Sequence, residues 1–388
     1  MKVALFGYFF PRSFRAGSAT TGIAILLARG QEVSIVTVFA PRGSSLPPGI
    51  DPTKIRIVEA WTPDRPLTLL GCLVRMLRTR DKIDRFVFSI YPTAFGRGRA
   101  ANAVGLLVPS VLARLSSKPV VVFMHSFLET QNVEQLGYRP GGISKIVVGT
   151  LERWIVNSTT TLVPLASMKT VVERELGGRV EVVPLPYVES VYSAMRSTPA
   201  LRRDDWPREG SIRVLLFGTW GPQKDLEGVL RTLGQVTARG LDIQVTIAGD
   251  VNPSFPAFAA SLEKLVADLP PDRFHRIGHV PEEDVLPLIR SADALILPYH
   301  AAGGYSGVMN CAALAATPVI AYDVPQLREF AAQLGLSVQF VPPRDLLALE
   351  GSLRWSVSES KLRPSDAATF SARKLQVAAD AVERLLKV

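Results

Sequence analysis

Cysteine is almost missing from this sequence, with Cys72 and Cys311 the only two in 388 residues. Far apart in the chain, they supply neither a disulfide framework nor a cysteine-rich zinc site, and they suit a reducing interior. An unbroken apolar run of the roughly 18 or more residues that a membrane-spanning helix needs is missing too. The most apolar stretches, such as LTLLGCLVRMLR, are interrupted by arginine. The opening MKVALFGYFFPRS has too short an apolar centre for a secretory leader and reads as a first strand. Short-period repeats and low-complexity tracts are absent, so the fold must come from ordinary packed elements.

What is present fits a globular protein. Hydrophobic residues at 47% and charged residues at 20% match a chain that builds sizeable cores. At this length two domains are the economical expectation. The formal charge of +9 favours anionic partners, whether nucleic acid, phosphorylated metabolites or acidic lipid headgroups. No helix-turn-helix, zinc or RNA-binding aromatic signature accompanies that charge, so a nucleic-acid partner has net charge alone behind it.

The first half alternates strand-like apolar runs with helical patterns, as β-α-β units of a parallel sheet do. VALFGYF, EVSIVTVFA, FVFSIYP, VVVFMHS and TTLVPLA are the strand candidates, with crossover helices over Ala19 to Arg29 and Arg99 to Leu115. Between Pro184 and Gly210 the pattern breaks into proline and charge. It then restarts with RVLLFGTW, IQVTIAGD, HRIGHV, ALILPY and PVIAYD. The expected organisation is an α/β domain over residues 1–190, a linker over 191–211, a second α/β domain over 212–364 and a closing C-terminal helix over 365–388. Both domains are expected to be doubly wound around parallel sheets.

In such sheets ligands bind beyond the carboxyl ends of the strands. The first such loop, GYFFPRSFRAGSATTG, holds Gly7, Gly17, Arg12 and Arg15 ahead of a helix. In the second domain, GTWGPQKD places Gly218, Gly221 and Lys224 before a helix, an arrangement suited to a diphosphate through exposed N–H groups and one ammonium. Neither a P-loop nor a G-x-G-x-x-G pattern is present, and an ordinary strand-to-helix loop with a solvated lysine remains the alternative. Further on, ALILPYHAAGGYSGVMNCAALA has Gly303, Gly304 and Gly307, across which a backbone approaches a ligand closely or a helix packs tightly on its sheet. His125 closes the strand PVVVFMHS, where an imidazole serves either structure or a sugar hydroxyl and a departing proton.

Taken together and in this order, FGTWGPQKDLEGVL, HRIGHVPEEDVLPLIRSADALILPY, KPVVVFMHS and LERWIVNSTTTLVPLASMKTVVERELGGRVEVVPLP resemble glycosyltransferase family 4. The resemblance implies the GT-B fold, two Rossmann-like domains facing across a cleft, and a hexosyl-type transfer from a nucleotide diphosphate-sugar with retention of anomeric configuration. It implies Lys224 and His125 as the catalytic pair. It assigns the donor phosphates to Gly17, Gly218, Thr219, Lys224, Ser306, Gly307 and Val308, and the donor sugar to His300, Gly303, Gly304 and Tyr305. The nucleotide base and ribose fall to Gly278, His279, Val280 and Cys311. No cofactor and no metal are implied, and no Asp-x-Asp motif is present to hold one.

Two departures stand out. The family's arginine after the loop glycine is Thr219 here, and the paired glutamates of its donor loop fall on Gly303 and Cys311. Without those carboxylates, a catalytically silent nucleotide-sugar binder or partner protein of the same fold is the alternative to an active transferase. The expected acceptor is a glycan, a lipid-linked glycan or a polysaccharide. LTLLGCLVRMLRTRDKIDR sets apolar side chains beside arginines, as a peripheral contact with an anionic membrane would, or as a core helix with a solvated basic face does. The expected location is cytoplasmic, at the inner membrane face if that contact exists.

Overall fold

A computed structural model of the chain describes residues 1–10, 17–47, 50–128, 142–184, 210–253, 255–300, 306–360, 377, 379–384 and 386–387. They form two compact units: residues up to 184 together with 377–387, and residues 210–360. The linker expected at 191–211 lies outside the described residues apart from Gly210 and Ser211.

The first unit carries β1 (Lys2–Gly7), β2 (Ile35–Pro41), β3 (Ile55–Trp61), β4 (Arg85–Ile90), β5 (Val120–Met124), β6 (Thr160–Val163) and β7 (Val180–Val182). They pair in parallel in the order β3-β2-β1-β4-β5-β6-β7. Its helices are α1 (Gly17–Arg29), α2 (Pro66–Thr79), α3 (Arg99–Leu115), α4 (Gly142–Ser158) and α5 (Ala166–Leu176). Every residue of β5 is buried, as expected of a parallel strand covered on both faces, whereas the edge strand β3 is buried only at Ile55 and Trp61. Trp61 stacks on Phe6 at a centroid separation of 5.6 Å, and Phe88 and Phe95 close the cluster around Phe6.

The second unit repeats the plan with β8 (Ile212–Phe217), β9 (Ile243–Ala248), β10 (Phe274–Gly278), β11 (Ala294–Leu297), β12 (Val319–Tyr322) and β13 (Val338–Val341). All are parallel, in the order β10-β9-β8-β11-β12-β13. Its helices are α6 (Leu226–Ala238), α7 (Pro256–Ala267), α8 (Glu282–Ser291), α9 (Gly307–Ala315), α10 (Pro325–Leu334) and α11 (Leu346–Ser360). In each unit the strand order reverses beside the first strand, between β1 and β4 and between β8 and β11. A crevice is left at the carboxyl end of each such pair. The described part of the C-terminal segment is helical, buries Ala381 and Val382, and donates from Arg384 Nη1 to the Val182 carbonyl at 3.5 Å, so it packs on the first unit.

β8 and β11 are also joined by charge. Arg213 donates through Nε and its backbone N–H to Asp293 Oδ2, both at 2.9 Å, and through Nη2 to Oδ1. Both side chains are more than nine-tenths buried. Removing one partner strands the other charge in the interior, which costs about 3–5 kcal/mol. Asp293→Ala is expected to lower stability by that amount in urea unfolding followed by circular dichroism, and the double change Arg213→Met with Asp293→Leu to recover most of it.

Candidate functional site

The crevice of the second unit begins at Gly218. Its φ of +137° requires glycine, and a Cβ there would lie 2.5 Å from Lys224 Nζ and 3.6 Å from Val308 Cγ2. The ammonium therefore sits directly against the bare backbone of Gly218. Backbone bonds hold it there: Lys224 N–H donates to Gly221 O at 3.0 Å, Asp225 N–H to Pro298 O at 2.7 Å and His300 N–H to Gln223 O at 3.0 Å. These stitch the loop after β8 to the one after β11. Lys224 is 4% exposed, with Nζ 4.8 Å from the Trp220 ring centroid and 4.9 Å from that of Tyr299, distances at which ring faces attract a cation. Trp220 is itself fixed by its Nε1–H donating to Ala248 O at 3.0 Å.

The start of α9 lies beside this cation. Ser306 caps the helix, its Oγ accepting from Met309 N–H at 3.2 Å, and the Tyr299 hydroxyl approaches that oxygen at 3.4 Å. First-turn amides at Gly307 and Val308 and the positive end of the helix dipole favour an anion. Gly218, Lys224, Ser306, Gly307 and Val308 are thus brought together, with Thr219 half-buried alongside. Gly303, Gly304 and Tyr305 lie outside the described residues.

Strand-end glycines continue across the sheet. Gly249, φ +98°, donates its N–H to Gly278 O at 2.5 Å, and a Cβ on it would fall 2.1 Å from Gly218 O. Gly218, Gly249 and Gly278 therefore mark the ends of three adjacent strands. Gly249 went unread in the sequence, although its position at the end of IQVTIA is the same signal. His279 is exposed, with Nδ1 3.4 Å from Asp250 Oδ2, and Val280 is buried. Cys311 is 0% exposed inside α9, so the base or ribose contact expected there has no exposed sulfur to make it.

A hub that the sequence did not reveal is Asp225. It caps α6 by accepting from Gly228 N–H at 3.1 Å and receives Arg344 through Nε at 2.9 Å and Nη2 at 3.0 Å. The Tyr322 hydroxyl donates at 3.3 Å, and His300 Nε2 stands 3.8 Å away. Burial alone would raise the Asp225 pKa, but the Arg344 hydrogen bonds and charge, with the Gly228 N–H, hold it below the ordinary carboxylate value. Arg344 makes this pair from a left-handed backbone, φ +63°.

In the first unit the corresponding crevice holds His125, just after β5. Thr20 Oγ1 donates to Ser89 Oγ at 2.9 Å, and Ser89 Oγ meets His125 Nε2 at 2.8 Å. A Cβ on Gly7 would lie 2.8 Å from both Ser89 O and Thr20 Oγ1, so β1, α1, β4 and β5 close around one polar chain. Gly17 opens α1. Burial depresses the His125 pKa from 6.5 to about 3, so the ring is neutral and can share hydrogen bonds without carrying a charge near pH 7. The sign follows from linkage: as pH falls from 6.5 towards 3 the unfolded chain takes up this proton and the folded one does not, so stability declines with falling pH. His125→Gln is expected to flatten that decline, measured as the urea midpoint against pH.

Known proteins resemble this chain in sequence and in fold. Residues 211–355 match the family described as Glycosyl transferases group 1. A glycogen synthase of Mycobacterium tuberculosis is 27% identical over 247 residues, covering 63% of this chain and 55% of that enzyme. An alpha-D-kanosaminyltransferase of Streptomyces kanamyceticus is 25% identical over 279 residues, covering 69% of this chain and 66% of its own length. This chain therefore spans little more than half of the first of these relatives and just under two thirds of the second. Among solved structures, Anabaena HepE in complex with UDP superposes over 100% of both chains with a TM-score of 0.69 at 15% identity. The sucrose-phosphate synthase of Thermosynechococcus elongatus covers 100% of this chain and 98% of its own, with a TM-score of 0.66 at 14% identity. The second unit thus matches the Glycosyl transferases group 1 model over residues 211–355, and the chain as a whole has the GT-B fold of two Rossmann-like domains.

Proposed function

We propose that this protein moves a hexosyl-type sugar from a nucleotide diphosphate-sugar to a glycan, lipid-linked or polysaccharide acceptor, with retention and without a metal. The observation that carries the reading is the buried Lys224 ammonium lying against Gly218 beside the start of α9. As the bond from the anomeric carbon to the donor phosphate breaks, negative charge gathers on the departing diphosphate. A fixed cation and a helix start stabilise that charge without reorganising. The acceptor oxygen forms the new bond to the anomeric carbon, and its proton passes to a diphosphate oxygen. His125, neutral in its site, acts as a hydrogen-bonding partner for a sugar hydroxyl rather than as a proton store. His300 and the residues 303–305 are assigned to the donor sugar, and the ends of β9 and β10 to the nucleoside. HepE was solved with UDP and with UDP-glucose, which makes uridine diphosphate-sugars the first donors to test. Both thiols are buried, in keeping with a cytoplasmic place of action.

A second reading is motivated by Gly303 and Cys311, which supply no carboxylates: a nucleotide-sugar binder without turnover. A thermal-shift screen of nucleotide sugars identifies the donor in either case, because a ligand of the native state raises its stability in proportion to affinity. Release of nucleoside diphosphate then separates transferase from silent binder, and persistence of turnover in a chelator checks the metal-free mechanism. Lys224→Met preserves packing between Trp220 and Tyr299 while removing a charge-assisted contact worth roughly 1.5–3 kcal/mol. It is expected to weaken nucleoside diphosphate binding roughly 10- to 100-fold by calorimetry, with little change in melting temperature. Unchanged affinity in this variant would overturn the phosphate assignment.

A further inference from the structure

Among the described residues, eight of the ten large hydrophobic side chains left exposed lie on α2, α3 and α4. Their spacing is not random. On α2, Leu67, Leu70 and Val74 follow one another at intervals of three and four residues, opposite the buried Leu69, Cys72, Leu73 and Met76. On α4, Ile143, Ile146, Val147 and Trp154 fall on one side, opposite the buried Ile155 and Val156. Each helix therefore has a core-facing side and a second apolar side facing out, which a simple surface helix does not have. α3 packs between the two, and its end ties them together. The Arg114 guanidinium lies 5.3 Å over the Trp154 ring, and Arg80, just after α2, donates to the carbonyl of the exposed Leu115 at 2.9 Å.

Charge is concentrated in the same segment. Residues 65–128 contain ten Lys and Arg against two acids, Asp81 and Asp84, a net +8 out of the whole chain's +9. From 210 to 388 the balance is 17 against 19, a net −2. Arg75 and Arg78 are exposed beside the α2 stripe, and Lys145 and Arg153 beside that of α4. A second copy of this face would set positive charge against positive charge. An anionic bilayer offers what the face lacks, phosphates for the cations and an acyl boundary for the leucines, isoleucines and tryptophan.

We propose that the outward sides of α2 and α4 form a docking surface by which the first unit lies on an anionic lipid bilayer. The contact is peripheral, since among the described residues no helix is long and apolar enough to cross a membrane. It belongs to the first unit alone and does not rest on the donor reading. A surface of this kind suits an acceptor presented from a membrane, such as a lipid-linked glycan.

The test is co-sedimentation of the full chain with phosphatidylcholine vesicles, with and without phosphatidylglycerol. Binding is expected only with the anionic lipid, and part of it should survive high salt. Leu67→Ser, Leu70→Ser and Val74→Ser combined are expected to lower partitioning at least ~10-fold, and Arg75→Gln with Arg78→Gln about five-fold per charge at low salt. These side chains are solvent-exposed, so melting temperatures should match the parent. As a measurement needing no disruptive change, brominated acyl chains should quench parent tryptophan fluorescence, and Trp154→Phe should remove most of that quenching. Failure to bind anionic vesicles, binding indifferent to the α2 changes, or a dimer in sedimentation velocity that those changes dissociate would each overturn the proposal. None of these outcomes touches nucleotide binding, whose failure would count against the donor reading only.

Discussion

Parallel pairing constrains everything else in this molecule. A strand can be followed by a parallel neighbour only if the chain crosses back over the sheet, and here each sheet uses one crossover to change direction beside its first strand. At that reversal the loops leave in opposite directions, so the carboxyl ends of β8 and β11 face a crevice that no crossover covers. Lys224 and the start of α9 are delivered there by the loops after those two strands. The three glycines at the ends of β8, β9 and β10 let the backbones close up beside it. The first unit obeys the same geometry, with Gly7, Ser89 and His125 at the ends of β1, β4 and β5.

The two crevices are nevertheless different electrostatic environments. In the first, burial strips the histidine of its charge and leaves a chain of neutral hydrogen bonds from Thr20 through Ser89 to His125. In the second, a buried cation is cushioned by two aromatic rings, and next to it in sequence Asp225 remains ionised because Arg344 answers its charge. A neutral hydrogen-bonding wall suits hydroxyl-rich ligands, and a fixed cation suits phosphate. The net charge that first drew attention is not centred on the second crevice. It lies mostly in the segment from α2 to β5, away in sequence from the residues that would hold an anion on the second unit.

Much of this was legible from the amino acids alone. The central strands were readable because burial on both faces makes them continuous apolar runs, as in VALF, VVVFM and VLLF. β3, β7 and β13 were not, because these edge strands are only partly buried or short: β3 is buried only at its two ends, β7 has three residues and β13 only one fully buried. Gly218, Lys224 and His125 could be found because strand-end glycines, a lysine before a helix and a histidine closing an apolar strand are local signals. Thr20, Ser89 and Arg344 had no local signal, and Asp225 had only that of a helix cap. Their meaning is in partners 69 and 119 positions away, which only the folded chain brings within reach. Cys311 shows the opposite case, a position assigned by alignment whose side chain turns into the interior.

The Arg213–Asp293 pair has a consequence for how the protein is made. β8 is central to its sheet, yet the strand that covers its second edge and the carboxylate that neutralises its first cation lie 80 residues further along. While a ribosome is still adding those residues, the nascent second unit has β9 on one side of β8 and an unzipped, apolar margin on the other. Such a margin is a template for unwanted strand addition. The ionic bond between the two residues joins the strands on either side of that margin and so lies where the sheet closes.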